Sequence, residues 1–139
     1  MRLMAIDYGD SRVGIAVSDL LGITAQGVKT IQNTSNKKLI EEISLIIKEY
    51  NPEKIVVGLP KNMDGTLGFR AEETYKFVDL LKTVYDKEIV YFDERLTTMS
   101  AARILNTTNT RGKKRKAVID TVSACMILEG YMGRIGNGF

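Results

Sequence analysis

The chain has 139 residues, of which 44% are hydrophobic and 27% charged, a composition typical of a soluble globular protein. One cysteine excludes an internal disulfide and a thiolate metal cluster, and the lack of histidine excludes Ser-His-Asp and Cys-His mechanisms and the usual zinc sites. There is neither an apolar run of the roughly 20 residues that a membrane span needs nor a signal-peptide pattern. We therefore expect a cytoplasmic protein that does not bind membranes.

The first part of the chain predicts three strands and a helix. Residues 3–6 (LMAI) predict a short buried strand, followed by a turn at YGDSR in which Gly9 is able to take a positive φ. The stretches VGIAVSD and AQGVKTIQ predict two further strands, and the short first connection favours an antiparallel hairpin. In SNKKLIEEISLIIKEYN the apolar residues have the spacing of an amphipathic helix, which Ser35 or Asn36 would cap and Asn51-Pro52 would end.

The remainder alternates strands with helices. KIVVGLP is wholly apolar and predicts a strand covered on both faces, and EIVYFDE predicts another. TLGFRAEETYKFVDLLKTVY predicts a helix with one face formed by Ala71, Tyr75, Val78 and Leu81, and TTMSAARILN predicts a short helix. TTNTRGKKRK predicts a mobile basic loop, and AVIDTVSACMILEGYM a last, largely buried helix. This order predicts an α/β fold with a mixed sheet: an antiparallel meander of three strands, then parallel crossovers, with helices on both faces.

Positive charge is concentrated near the end of the sequence. Residues 101–139 hold seven Lys/Arg and two acids, a net charge of +5, whereas residues 1–100 have a net charge of −2. Five cations fall within RGKKRK, namely Arg111, Lys113, Lys114, Arg115 and Lys116. Such a cluster favours a polyanionic partner, although on charge alone a solvated loop explains it equally well.

Three acids stand at the edges of apolar elements. Asp7 ends the first predicted strand, Glu94 follows the strand IVYF, and Asp120 lies in the first turns of the last helix. Taken singly, Asp7 fits a turn residue, Glu94 a partner of Arg95 or a helix cap, and Asp120 a helix acid favoured by the macrodipole. If the elements converge, the three carboxylates would repel one another unless a divalent cation, Mg²⁺ or Mn²⁺, lay between them.

Such a centre beside a cluster of cations suits phosphodiester cleavage, because the metal activates water while the cations hold the backbone. The stretch VGLPKNMDGTLGFRAEE would extend Lys61, Asn62 and Arg70 from the same sheet edge. A plain connection between a strand and a helix is the alternative interpretation of that stretch.

Four blocks of the sequence together resemble one family. AIDYGDSRVGIAVSD, VVGLPKNMDGTLGFRAE, DERLTT and KAVIDTVSACMIL resemble the YqgF (RuvX) family, also called Holliday junction resolvases or pre-16S rRNA nucleases. The blocks have the order seen in the family and span nearly the whole chain. The resemblance implies a ribonuclease-H-like fold with a five-stranded mixed sheet, as a single nuclease domain over residues 1–139.

The resemblance also implies roles for particular residues. Asp7, Glu94 and Asp120 match the acids proposed to be catalytic and to ligate the metal. Other motif positions are matched by Arg12, Asn62, Asp64, Gly65, Arg70 and Arg95. With the basic cluster, we therefore expect nucleic acid to be bound by Arg12, Lys61, Asn62, Arg70, Arg95, Arg111, Lys113, Lys114, Arg115 and Lys116. Other ribonuclease-H-like nucleases commonly carry an acid at the end of the fourth strand, whereas here that strand ends in VVGLP and Glu94 follows the fifth.

The leading hypothesis is a metal-dependent endonuclease that acts on structured RNA in 5′-end maturation of pre-16S rRNA. The same chemistry would serve resolution of four-way, branched DNA. A nucleic-acid-binding module without catalysis shares the basic cluster but needs no metal. An ATPase domain of the actin and sugar-kinase type has a similar acidic-glycine turn, but that architecture normally needs two such domains. End trimming would suit a monomer, and symmetric junction cleavage a homodimer.

Overall fold

Five strands form the central sheet of the protein. The computed structural model describes residues 1–60, 68–93 and 112–136, with side chains described for residues 121–133 of the last range. The strands are β1 (Leu3–Tyr8), β2 (Arg12–Ser18), β3 (Ala25–Gln32), β4 (Lys54–Leu59) and β5 (Glu88–Asp93). Their spatial order is β3-β2-β1-β4-β5. β2 is antiparallel to β1 and β3, whereas β4 is parallel to β1 and β5. The predicted meander followed by parallel crossovers is confirmed.

The described ranges contain three helices: α1 (Asn36–Tyr50), α2 (Phe69–Leu81) and α3 (Gly112–Gly136). The Ser35 side chain accepts a hydrogen bond from the backbone N–H of Lys38 and caps α1, as one of the two predicted candidates. Asn51 ends α1 in the left-handed conformation with φ 48°, which asparagine tolerates better than most residues. None of the described helices is long and apolar enough to cross a membrane.

The sheet has a separate hydrophobic core on each face. Successive side chains of a strand point to opposite faces, so Met4 and Ile6 of β1 lie on one face and Leu3 and Ala5 on the other. α1 and α2 cover the first face, where the largest fully buried helix residues are Leu39, Ile43, Phe77 and Leu81. α3 covers the second face through Ala124, Ile127, Leu128 and Met132. The prediction of helices on both faces is confirmed.

Two sequence-based expectations need correction. The predicted mobile loop TTNTRGKKRK is helical from Gly112 onward, because lysine and arginine are good helix formers and the following residues continue the helix. The predicted helix TLGFRAEETYKFVDLLKTVY ends at Leu81, before the β-branched pair Thr83-Val84. Gly9, although able to take a positive φ, does not have one, and close packing against the backbone of Arg12 is what requires a glycine there. The predicted helix at residues 97–106 lies outside the described residues.

Candidate active site

Asp7 lies at the carboxyl end of β1, the central strand of the sheet. Its place in the strand alternation puts it on the face of Leu3 and Ala5, which is the face covered by α3. Its side chain is partly buried. Among the described side chains, which leave out those of residues 112–120, no lysine or arginine forms an ion pair with it. The acid is therefore held at the end of the central strand, on a covered face, without a neutralising partner among the described side chains.

Glycines lie beside Asp7 on both neighbouring strands. In β2 the residue directly opposite Asp7 is Gly14. In β4 the last residue paired with β1 is Val57, the partner of Ile6, so Gly58 is the β4 residue at the level of Asp7. Paired residues of adjacent strands share a face, so no β2 or β4 side chain adjoins the carboxylate at this level. A glycine within a strand often marks a close approach of a ligand or another backbone, and this signal in VGIAVSD and VVGLP was available from the sequence.

The turn after Asp7 is held by close backbone packing. A Cβ atom added at Gly9 would lie 2.6 Å from the carbonyl oxygen of Arg12, which excludes any larger residue unless the turn changes shape. Asn33, just after β3, donates from Nδ2 to the carbonyl oxygen of Gly9 at 2.9 Å. Its backbone N–H donates to the carbonyl oxygen of Ser11 at 2.8 Å. The sequence analysis missed Asn33, whose only signal is that asparagine is common where strands end in turns.

Two of the predicted nucleic-acid ligands are described at this end of the sheet. Arg12 begins β2 and shares the strand parity of Gly14 and Ala16, which places it on the face of Asp7. Arg70 is the second residue of α2 and is exposed. It follows the connection from the carboxyl end of β4 but belongs to a helix on the opposite face. The structure thus places Arg12 on the same face of the sheet as Asp7. Arg70 lies near the same end of the strands but belongs to a helix on the opposite face.

Asp120 is the ninth residue of α3 rather than a first-turn residue, because the helix begins earlier than predicted. The next residue, Thr121, packs on Gly27 of β3, with 3.1 Å between its Cβ and a Cβ built on the glycine. Gly27 pairs with Ala16, which pairs with Ala5. The backbone of α3 near Asp120 therefore passes over the row formed by Gly27, Ala16 and Ala5. Asp7 is the next residue after Ala5 on this face of β1, so it lies in the neighbouring row.

Several predicted site residues lie outside the described residues, namely Glu94, Lys61, Asn62, Arg95 and Arg111. The backbones of Lys113, Lys114, Arg115 and Lys116 occupy the first turns of α3, the positive end of the helix dipole. Among the described side chains, no group of three or more Asp, Glu, Cys or His residues is close enough to hold a metal ion. Glu94 and the side chain of Asp120 are not among the described side chains.

Asp19 differs from Asp7 in being fully engaged by its own turn. Its Oδ1 accepts hydrogen bonds from the backbone N–H groups of Ile23 at 2.7 Å and Thr24 at 3.2 Å. The bond from Ile23 is the main cause that lowers the pKa of the Asp19 carboxyl below its usual value. This acid organises the β2–β3 turn, at the end of the sheet opposite Asp7.

Comparison with known proteins identifies the family. A family model described as "RuvX: Holliday junction resolvase" matches residues 1–134. The chain belongs to the RuvX family. The resemblance drawn from the four sequence blocks is confirmed, and with it the nuclease class of the protein.

Relatives of this RuvX protein match it over almost their whole length. A chain from Clostridioides difficile is 50% identical over 94% of this chain and 93% of its own, and one from Halothermothrix orenii is 48% identical over 95% and 94%. Both carry the name "Putative pre-16S rRNA nuclease". Among solved structures, RuvC from T. thermophilus in complex with a Holliday junction substrate superposes with a TM-score of 0.63 at 11% identity, covering 98% of this chain and 96% of the other. This likeness confirms the ribonuclease-H-like fold.

Proposed function

We propose that this RuvX protein is a metal-dependent endonuclease that hydrolyses phosphodiester bonds of structured RNA in 5′-end maturation of pre-16S rRNA. The observation that carries the proposal is the setting of Asp7, a partly buried carboxylate at the end of the central strand, with Gly14 and Gly58 beside it. A phosphate and its counter-ions need such room next to an acid.

Asp7, Glu94 and Asp120 would together hold Mg²⁺ or Mn²⁺. In the sequence Glu94 comes two residues after Phe92, which packs on the α3 face that also carries Asp7. The α3 backbone at residue 120 directly precedes Thr121, which packs on Gly27, and lies one helical turn before the fully buried Ala124. Carboxylate oxygens fit a hard divalent cation. When bound, such a cation supplies Lewis-acid activation of water and neutralises charge on the phosphate.

The protein's own groups would have distinct parts in this reaction. Asp7 would bridge the metal positions, Glu94 would ligate one, and Asp120 would complete the site and orient the attacking water. Arg12, on the face of Asp7, would bind the phosphate backbone, as would Arg70, Lys61, Asn62 and Arg95 around the same sheet edge. These contacts fix the register of the substrate rather than its chemistry.

The basic residues at the start of α3 add a second argument for a polyanionic substrate. Lysine and arginine are unfavourable at a helix N-terminus, and α3 has no acid in its first turn to offset them. A phosphate backbone would remove this repulsion by binding both the helix end and the cations of Lys113, Lys114, Arg115 and Lys116. Arg111, which directly precedes the helix, belongs to the same cluster in sequence.

The choice of RNA as the substrate rests on the names of the relatives. Such an enzyme would act in the cytoplasm, and a monomer would be sufficient to trim one end of the RNA. Four-way DNA is the second candidate, favoured by the family description and by the resolvase fold. The deciding experiment incubates the purified protein with precursor 16S rRNA and with a four-way DNA junction, across Mg²⁺ and Mn²⁺ concentrations. Metal-dependent cleavage of the RNA alone is the expected result. Cleavage of the junction alone would reverse the substrate, and binding of either without cleavage would contradict an enzymatic role.

A further inference from the structure

α3 makes two unusually close contacts with the sheet, and each is made at a glycine. A Cβ atom built on Gly130 of α3 would lie 2.6 Å from Cζ of Phe92, and 3.1 and 3.3 Å from its two Cε atoms. At the other contact, the Cβ of Thr121 lies 3.1 Å from a Cβ built on Gly27 of β3. The two contacts lie nine residues apart on the helix, at opposite edges of the sheet. Together they set the depth at which α3 crosses the sheet.

The Phe92 contact leaves little room for adjustment. Phe92 is 5% exposed and belongs to the core cluster beneath α3, with Leu3, Val56 and Ile127 among its members. Side chains in a close-packed interior cannot swing aside freely, and overpacking moves the backbone instead. An added methyl group at residue 130 would therefore displace either α3 or the end of β5.

Either displacement reaches the proposed site. α3 is one continuous helix that carries Asp120 ten residues before Gly130. Glu94 follows Phe92 by two residues in the sequence. Thr121, in contact with Gly27, directly follows Asp120. A shift of α3 would therefore move its backbone at Asp120 relative to Asp7, and a shift of β5 would move the strand that directly precedes Glu94 in the sequence.

We infer that Gly130 and Gly27 are positioning residues of the nuclease site: their missing side chains let α3 pack on the sheet closely enough to hold its backbone at Asp120 over the row of residues beside Asp7. This inference rests on the proposed function and adds residues to it that contact neither metal nor substrate. The two contacts differ in severity, so their effects are expected to differ. The 2.6 Å approach at Gly130 requires a real shift, whereas the 3.1 Å approach at Gly27 requires a few tenths of an ångström.

The test compares three glycine-to-alanine variants of the full chain. Because a misplacement of about 1 Å can cost about 100-fold in rate, Gly130→Ala is expected to lower kcat by about 10- to 100-fold, and Gly27→Ala by a few-fold. KM for RNA is expected to stay within about two-fold, since the long lysine and arginine side chains that contact the phosphate backbone tolerate a small shift of α3, while the Mn²⁺ concentration for half-maximal activity rises. Gly133→Ala is the matched control, because Gly133 is on the same helix and nothing lies within 4 Å of its built Cβ. It should keep wild-type kcat, KM and metal dependence.

A second substitution distinguishes positioning from simple loss of stability. Phe92→Leu removes the Cε and Cζ atoms that Gly130→Ala would meet, so the double variant should recover most of the lost kcat and metal affinity. Unchanged kcat in a folded Gly130→Ala protein, or a loss in the double variant as large as in the single one, would overturn the inference. If Gly130→Ala does not fold, Gly27→Ala decides, and wild-type kcat in that variant would also overturn it. Activity that persists in Asp7→Asn would instead overturn the proposed function, so the two failures are distinguishable.

Discussion

At the scale of single residues, the surroundings of Asp7 are made by residues distant from it in sequence. Gly58 comes from β4, and Asn33 reaches the turn from the end of β3. Gly9 is needed in that turn because a Cβ would meet the carbonyl oxygen of Arg12, not because its φ is positive. The acid is thus held by backbone packing on one side and left open by glycines on the other.

Removing the Asn33 side chain should loosen this turn. In Asn33→Ala the carbonyl oxygen of Gly9 loses its 2.9 Å hydrogen bond, which is expected to lower the free energy of unfolding by about 0.5–1.5 kcal/mol. Urea denaturation measures the change. Gln32→Ala is the control, since Gln32 is the exposed neighbour of Asn33, and it should lower the free energy less. Equal losses in both variants would mean that the bond to Gly9 adds nothing to stability.

The sequence located the candidate acids but not the structures around them. Asp7 was predictable because an acid at the end of an apolar run stands out. Asn33 was not, because its partners lie across two turns, 22 to 24 residues away along the chain. The close packing at Gly9 was not predictable either, because a glycine in a turn indicates only that a positive φ is available, whereas a close approach of two backbones appears only in three dimensions.

At the scale of elements, α3 carries the largest difference from the sequence-based prediction. A run of cations looked like a loop, but the backbone of residues 112–116 is helical. The first turns of α3 therefore present a positive helix end and four basic residues together. This arrangement makes the cluster a fixed feature of the helix rather than part of a mobile connection.

Neutralising that helix end should weaken RNA binding without slowing the chemical step. The quadruple variant Lys113→Gln, Lys114→Gln, Arg115→Gln and Lys116→Gln is expected to raise Kd for RNA and to reduce the slope of log K against log salt by up to about three, while kcat changes little. Fluorescence anisotropy across salt concentrations measures both quantities.

The control for this variant removes four exposed lysines elsewhere, at positions 37, 48, 82 and 87. Both variants lose the same net charge, so only a local role separates them. An equal loss of affinity in the two proteins would show that the helix end acts through net charge alone.

At the scale of the whole molecule, the two ends of the sheet differ in character. Among the described residues, glycines flank Asp7 at one end, whereas side-chain contacts join the sheet to α3 at the other. Lys54 at the start of β4 donates to the Tyr131 hydroxyl of α3 at 2.8 Å and pairs with Glu88 of β5 at 3.0 Å. Tyr131 first, and Glu88 second, raise the pKa of Lys54. These contacts hold the C-terminal part of α3, at the opposite end of the helix from its basic residues.

Buried Tyr85, at the same end of the sheet as Lys54, makes the stability of the protein fall at alkaline pH. Its hydroxyl donates to the carbonyl oxygen of Pro52 at 3.0 Å, and burial raises the pKa of Tyr85 to about 12 from the usual 10.0. Between these pH values the unfolded chain loses the proton and the folded chain keeps it, so stability falls as pH rises through this window. The raised pKa of Lys54 acts in the same direction above its usual value of 10.5.

Urea midpoints measured between pH 8 and 12 should therefore decline most steeply above about pH 10, by an amount to which Tyr85 contributes at most about 2–3 kcal/mol. Burial also raises the pKa of the Cys125 thiol, which adds a decline that begins near its usual value of 9.0. Tyr85→Phe should be less stable at pH 8, having lost the bond to Pro52, and should show a shallower decline. A decline as steep as in the wild type would mean that other groups cause it.

The fold as a whole was largely predictable from the sequence. Strand alternation, the caps of α1 and the short hairpin connection are local signals, and they gave the meander, the crossovers and the two covered faces. The close contacts at Gly27 and Gly130 were not predictable, because a glycine in a strand or helix does not reveal which distant side chain it meets.

The most direct test of the central claim is single-turnover cleavage of precursor 16S rRNA by wild type, Asp7→Asn and Asp10→Asn, with RNA binding measured in parallel. Asp10 is exposed in the turn that follows β1 and has no assigned role. The two substitutions therefore make the same chemical change at positions three residues apart. We expect cleavage to fall to background in Asp7→Asn alone, with RNA affinity and thermal stability preserved in both variants. Full cleavage by Asp7→Asn, or equal losses in the two variants, would contradict the assignment of Asp7 as the centre of the site.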